Sequence, residues 1–226
     1  MGAKEVSFSI PAPKIKLMKV VIMGTSPLIF HRWSEKAINM ILDKQLKKPK
    51  QGRDARNPEE EYSNSFYKSV DGYISFPALS IKQAMVNAAR NIEGITMTLL
   101  RGAIFVEGDK DGMIKVLVDK KAAKLNGKVT RYAEGEGAEN TVGFAPGYKG
   151  KIEMRQDMVR VGMGSADIRF RGQLKDWSMN FIVKFNESLF SAEQVLNLLQ
   201  TAGFACGLGE WRPEKNGSYG TFEIKN

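Results

Sequence analysis

The stretch W-S-M-N-F-I-V-K-F, Trp177–Phe185, decides the fold. Trp177, Met179, Phe181, Val183 and Phe185 alternate with Ser178, Asn180, Ile182 and Lys184. A period of two puts the large apolar set on one face of an extended chain, the pattern of a central strand. Ser191 follows, with Gln194 three residues on, the spacing of a capping box. The helix it opens, Ser191–Phe204, carries Val195, Leu198, Leu199 and Ala202 along one side. The chain ends in G-F-A-C-G-L-G-E-W-R-P-E-K-N-G-S-Y-G-T-F-E-I-K-N, Gly203–Asn226, with Tyr219–Ile224 as a last strand. Strand, helix and strand therefore close the sequence, separated by a glycine-rich loop.

That loop has two readings. Gly207, Gly209, Gly217 and Gly220 surround Trp211, Arg212, Lys215 and Tyr219. Glycine lets backbone approach a ligand closely, arginine offers a planar fork to phosphate, and aromatic rings offer faces to bases. The same residues also describe a helix C-cap, at Gly207 or Gly209, followed by a hairpin.

Upstream, Lys14–Gly24 reads as a strand with one partly basic face, entered after Pro11 and Pro13. Ser34 caps an expected helix from Glu35 to about Leu46, with Ala37, Ile38, Ile41 and Leu42 as its apolar side. Lys44–Asn57 is a basic loop holding Lys44, Lys47, Lys48, Lys50, Arg53 and Arg56. Asn57 and Pro58 restart a helix whose expected buried side is Tyr62, Phe66, Tyr67 and Val70, stopped at Asp71-Gly72. Tyr73–Phe76 is a short strand. Ser80, with Gln83, is read as the cap of a helix to about Ile92, striped by Ile81, Ala84, Met85, Ala88 and Ala89. Arg101–Glu107 and Met113–Asp119 are strands flanking a hairpin loop, Gly108–Gly112. Ala122–Ser165 is glycine-rich and irregular. Ile168, Phe170 and Gly172 then alternate with Arg169, Arg171 and Gln173.

Set aside 25–72 and 120–165, and the remainder runs strand, helix, strand, strand, helix, strand. This is an α+β order, the ferredoxin-like (RRM-like) βαββαβ core: an antiparallel sheet with helices on one face. The expectation is a single domain over 1–226, with insertions 25–72 (basic loop and helices) and 120–165 (Gly-rich, with room for a β-arm).

Composition narrows the function classes. The 34 Lys+Arg against 25 Asp+Glu give a net charge of +9, which favours an anionic partner, nucleic acid before a membrane surface. Cys206 is the only cysteine and His31 the only histidine, so intrachain disulfides, Cys/His zinc sites and His–His relays are excluded. No apolar run approaches a membrane span, and the N-terminus lacks a signal-peptide core. The expected setting is cytoplasmic, with no cofactor, no metal and no membrane partner.

Three stretches together resemble the RAMP superfamily of CRISPR systems, in particular the backbone subunits that line a guide RNA. They are Phe76-Pro77-Ala78-Leu79-Ser80-Ile81-Lys82, Gly207-Leu208-Gly209-Glu210-Trp211-Arg212 with Ser218-Tyr219-Gly220-Thr221-Phe222, and a first strand ending in Gly24-Thr25-Ser26-Pro27-Leu28-Ile29. Ala78 and Leu79 stand where the family has Gly and Ser. The resemblance implies single-stranded nucleic-acid binding without sequence readout, RNA before DNA, and subunits stacking head to tail in a filament beside other effector subunits. It places Ser80 and Lys82 where a phosphate meets a helix N-terminus, a placement that free N–H groups and the helix dipole also favour, with an exposed solubilising lysine as the other reading for Lys82. It likens Ala122–Ser165 to a thumb-like arm.

Further binding candidates come from residue type. His31-Arg32-Trp33 combines an imidazole, a cation and a stacking ring, with packing beneath the next helix as the other reading for Trp33. Arg169 and Arg171 share a strand face and either track phosphates or form a solvated edge. The nucleic-acid set is thus Ser80, Lys82, His31, Arg32, Trp33, Arg169, Arg171, Gly207, Gly209, Trp211, Arg212, Lys215 and Tyr219. Two alternatives stand beside RNA binding. One is a virus-encoded relative that coats single-stranded DNA. The other is a RAMP-type endoribonuclease using His31, or an acid such as Asp43 or Asp54. A lone histidine with no acid nearby in sequence speaks against cleavage, so no catalytic residue is assigned.

Overall fold

The computed structural model describes residues 11–49, 56–125, 141–144, 151–161 and 164–225. Lys50, Arg53 and Asp54 lie outside them, as do Gly127, Gly135, Gly137, Gly147, Gly150 and Gly162. The described chain is mixed α+β, with antiparallel sheets and five α-helices.

Period-two patterning holds best where it was clearest. β11, Ser178–Asn186, lies at the centre of the larger sheet. Trp177, Met179, Phe181, Val183 and Phe185 are all buried. β1, Ile15–Gly24, pairs with it antiparallel along nearly its whole length, and β12, Phe222–Ile224, pairs with the end of β1. On the other side of β11 come β5, Ile104–Glu107, and β6, Met113–Val118. These two sit end to end along β11 and are not the two arms of a hairpin. β6 continues to β4, Ile74–Pro77, and β4 to β3, Tyr67–Lys68. β7, Lys121–Ala122, turns back on β6.

The core face of β1 is Val20 and Ile22, while Ile15 and Leu17 point to the open side. Helices α3, Ala78–Ala88, and α5, Ala192–Thr201, supply the opposing layer through Ile81, Ala84, Met85, Val195, Leu198 and Leu199. The capping box at Ser191 and Gln194 forms as expected.

Three elements differ from the sequence reading. The N-cap of α3 is Pro77, without a side-chain bond, and Ser80 is the helix's third residue. The proline's fixed φ and missing N–H suit a helix start, so the serine is not needed as a cap. Residues 97–103 form a further helix, α4, Met97–Ala103, capped by Thr96, so the strand begins at Ile104 and not at Arg101. Helix α2, Pro58–Ser65, ends well before Gly72. Its Tyr62 and the following Phe66 are buried, but Val70 is exposed.

The second sheet is built from both insertions and the chain that follows the second. Its order is β2, Leu28–Ile29; β10, Ser165–Leu174; β9, Ile152–Val161; and β8, Thr141–Phe144. β9 and β10 pair over ten residues each, so the hairpin crosses the expected boundary at 165. One of its faces joins the core through Ile152, Met154 and Leu174. There the Phe66 ring lies against Gly172, where a Cβ would come within 2.0 Å of it.

Candidate nucleic-acid interface

The glycine loop after α5 is fastened along the segment leading into β2. Gly220 N–H donates to Pro27 O at 2.8 Å and Glu210 N–H to Ile29 O at 2.9 Å. Its glycines serve this close packing. A Cβ on Gly220 (φ +69°) would sit 1.8 Å from Leu208 O, and one on Gly209 (φ +76°) 2.4 Å from Ile29 O. Gly207 and Gly220 are buried, so the loop cradles itself, and what reaches the surface is its side chains.

Beyond β2, Phe30 N–H donates to Gly172 O and Arg32 N–H to Ser65 O, both at 2.9 Å. These bonds hold the segment 30–32 across β10 and the end of α2, beside the loop. His31 Nδ1 consequently lies 2.9 Å from Glu210 Oε2, although 179 residues separate the two. Glu210's carboxyl is held below the usual range by its hydrogen bond with His31, against the opposing effect of burial. Arg171 Nη2 approaches Glu210 Oε1 at 3.8 Å, and its Nη1 donates to Asp157 Oδ2 at 3.1 Å. Arg155 Nε donates to the same carboxylate's Oδ1 at 2.6 Å, and its Nη1 to Gln173 Oε1 at 3.1 Å. The Arg155 guanidinium also stacks over the Tyr219 ring, 4.6 Å from the centroid. Burial works against that charge, but Asp157 and Tyr219 outweigh it and raise its proton affinity further.

The β9–β10 register explains the shared face. Arg171 stands opposite Arg155, Arg169 opposite Asp157 and Gln173 opposite Glu153. Like charges directly opposite each other are unfavourable unless an anion lies between them, and Asp157 takes that place. Asp157 and Arg171 form a buried base, with side chains 8% and 6% exposed. His31 and Tyr219 beside it, and Arg32, Trp211 and Trp33 next to them in the chain, reach solvent, the two indoles 38% and 57% exposed. Tyr67 lies within the field of the same groups: burial raises its phenol, Arg32 opposes this, and Glu210 adds to it.

The sequence candidates thus divide. His31, Arg171 and Tyr219 come together through Glu210, Asp157 and Arg155, with Arg32, Trp33 and Trp211 next to them in the chain; Arg171 is buried against Asp157, so it neither tracks phosphates nor forms a solvated edge. Arg169 lies further along β10 and donates to Asp167 at 2.8 Å, a carboxylate it shares with Arg56. Arg212 is turned inward: Nη1 donates to Gly209 O at 3.0 Å and Nε to Glu214 at 3.1 Å. Lys215 is exposed in the short 3-10 turn Pro213–Lys215.

Ser80 and Lys82 are elsewhere. The loop meets the other end of α3, where Asn87 donates to Glu214 at 2.6 Å. Seven residues of helix, about 10 Å of rise, separate Ser80 from Asn87. Lys82 is the helix's fifth residue; it donates to Arg101 O at 3.0 Å and covers the Phe105 ring at 3.8 Å. Burial lowers its proton affinity. The contact between the loop and α3 thus falls at the C-terminal part of the helix, about 10 Å along it from Ser80.

Residue reading missed Glu210, Asp157 and Tyr67 and left Arg155 unplaced. Alternation on β9 could have paired Arg155 with Asp157. Nothing in the chain order announces the His31–Glu210 contact. Among the described residues, no group of three or more His, Cys, Asp or Glu side chains converges as metal ligands would, and no helix is long and apolar enough to cross a membrane.

No family model matches the chain, and no curated protein matches it. Among solved structures it is similar to the crystal structure of Cmr6 from Pyrococcus furiosus. The identity is 11%, with 94% of this chain and 99% of that chain covered, at a TM-score of 0.39.

Proposed function

We propose that the protein binds single-stranded nucleic acid, RNA before DNA, along its backbone and without reading sequence. In this reading it is a RAMP-type backbone subunit that stacks head to tail in a cytoplasmic filament, within a CRISPR effector or a virus-encoded relative. The strand order β12-β1-β11-β5, with α3 and α5 on one face, supports a ferredoxin-like core carrying insertions at 25–72 and 120–165. The observation that carries the reading is the convergence of three distant stretches. His31–Trp33, Arg155, and Glu210–Trp211 with Tyr219 put cations and rings at one surface, above the buried Asp157–Arg171 pair, in a chain with net charge +9. Cations meet phosphates and rings stack on bases, each stacked base contributing about 1–3 kcal/mol. Ser80 and Lys82 belong to the proposal only as a separate contact further along the strand.

The test is fluorescence anisotropy with labelled single-stranded RNA and DNA at two salt concentrations. The expected result is affinity that falls steeply with salt, with a log–log slope of about −0.7 per neutralised phosphate. Salt-independent or absent binding refutes the proposal. Tighter binding of DNA than of RNA selects the DNA-coating alternative.

One observation favours a second reading, an endoribonuclease. Glu210 supplies the carboxylate that sequence denied to His31. An imidazole oriented through Nδ1 keeps Nε2 for proton transfer, and the partly exposed Arg155 stands by for the phosphate. Cleavage of labelled RNA in EDTA, lost in both His31→Ala and Glu210→Gln, selects this reading; intact RNA retires it.

A further inference from the structure

Trp211 stands at φ +53°, left-handed backbone that costs a bulky residue energy and that glycine adopts freely. Strain of this kind persists only where the surroundings over-determine it. Backbone bonds supply part of the hold. Glu210 N–H is tied to Ile29 O, and Trp211 O accepts from Tyr219 N–H at 3.0 Å. Arg212 O accepts from Lys215 N–H at 2.8 Å and from Gly217 N–H at 3.0 Å. Gly217 permits the close fit, since a Cβ there would come 1.7 Å from Trp211 O. The Arg212 side chain supplies the rest: its Nη1 reaches back to Gly209 O at 3.0 Å and so closes the turn that contains Trp211. Glu214 holds that guanidinium. Its Oε2 receives Arg212 Nε and Nη2, both at 3.1 Å, the paired geometry that makes an arginine–carboxylate contact strong. Its Oε1 receives Asn87 Nδ2 at 2.6 Å, with Arg90 Nη1 at 3.6 Å. Asn87 is itself buried in α3, and its Oδ1 is taken by Gln83 at 2.8 Å. One carboxylate, 17% exposed, therefore joins a fixed point on a core helix to the arginine that closes the turn.

We infer that Glu214 is a positioning residue of the interface: acting through Arg212, it holds Trp211 in its strained turn and presets the ring for a nucleobase. The inference rests on the single-strand binding proposed above and adds to it a residue that touches no nucleic acid. Its physical content is preorganisation. A ring whose backbone is already fixed does not lose that freedom again on binding, so its stacking is kept as affinity. The same bonds reach the second ring, because Tyr219 N–H is the donor on Trp211 O. The inference also runs against simple charge. In a chain of net charge +9, deleting an acid strengthens the long-range attraction for a polyanion. Here the acid favours the polyanion's binding, and its removal weakens it.

The test is fluorescence anisotropy of the full chain with a labelled single-stranded oligouridine, at low salt and far below the melting temperature. Glu214→Gln, of nearly the same shape, is expected to bind about fivefold or more weakly, the lower end of what one stacked base contributes. Asn87→Ala changes no charge and is expected to weaken binding by about two- to fivefold, the share of one hydrogen bond. In a Trp211→Ala background, Glu214→Gln should cost no more than about twofold, because the ring it positions is gone. Nitrogen-15 NMR reads the ring without nucleic acid: the Trp211 indole signal should shift or broaden in Glu214→Gln. The Trp177 signal, from an Nε1–H that donates to Ser26 O at 2.8 Å, should stay in place and report an intact fold. Where Glu214→Gln disturbs Trp177, Asn87→Ala carries the same readouts. A residue that only staples the loop would lower the melting temperature and leave affinity and the Trp211 signal unchanged. Three results overturn the inference: unchanged or tighter binding by Glu214→Gln, an undiminished effect in the Trp211→Ala background, or an unmoved Trp211 signal. Wild type that fails to bind refutes the proposed function instead, and the indole signal alone then decides whether Glu214 holds the ring.

Discussion

Replacing Asp157 by alanine removes the anion that two guanidinium groups share. Arg155 and Arg171 both donate to this carboxylate, at 2.6 and 3.1 Å, and it is 8% exposed. Arg155 is partly solvated and keeps Gln173 and the Tyr219 ring. Arg171 is different: its side chain is 6% exposed, and among the described residues its Nε has no hydrogen-bond partner and its other carboxylate neighbour, Glu210, stands 3.8 Å away. Breaking a buried ion pair from one side costs about 3–5 kcal/mol, because the surviving charge stays desolvated. Glu210 compensates in part, which puts the expected loss near 3 kcal/mol. For a chain of this size that is a fall in melting temperature of roughly 6–12 °C. Urea titration and calorimetry on wild type and Asp157→Ala measure it. The double variant Asp157→Ala/Arg171→Met also removes the stranded cation and should recover part of the loss. A single-variant cost below about 1 kcal/mol, or a double variant as unstable as the sum of the two singles, refutes the account of a buried charge balanced by Asp157.

Three further outcomes follow from the geometry. Gly220→Ala combines left-handed backbone strain with a Cβ 1.8 Å from Leu208 O, and should cost about 2–5 kcal/mol. Gly112→Ala, at φ +72° with nothing within 4 Å, should cost only about 1–2 kcal/mol in the same melts; equal losses would contradict the packing argument. Trp33→Ala and Trp211→Ala should each weaken single-strand binding by about 1–3 kcal/mol while leaving the melting temperature nearly unchanged, and a variant with full affinity removes that ring from the interface. Glu210's carboxyl is depressed in the folded state by its hydrogen bond to His31. A depressed value means that its contribution is complete above the ordinary value of 4.5 and fades as pH falls through the lower folded value. The stability gap between wild type and Glu210→Gln, followed by urea titration from pH 7 to pH 3, should therefore shrink toward acid; a gap that stays constant or widens contradicts the assignment.

Much of the framework was legible in the residues themselves, because it rests on local patterns. Period-two alternation at Trp177–Phe185, the Ser191 capping box and the apolar stripe of α3 each state which side is covered, and each holds. Local signals also misled where two of them competed. Pro77 rather than Ser80 starts α3. The stripe on helix α1, Glu35–Gln45, though regular, is not buried among the described residues, since periodicity says that a face seeks cover and not what supplies it.

The candidate site was half legible. Residue type picked out His31, Arg32, Arg171, Trp211 and Tyr219 singly. Their assembly around Asp157 and Glu210 depends on the loop after α5 pairing with Pro27–Ile29 and on the β9–β10 register. Both are contacts between residues far apart in sequence. The glycines show the division most clearly. Their density marked the loop as a place of close approach, and the sequence alone sufficed for that, because only glycine lacks a Cβ. What they approach is their own loop and β2. That was decided by tertiary packing, since the space a missing Cβ leaves is filled by whichever backbone the whole fold brings there.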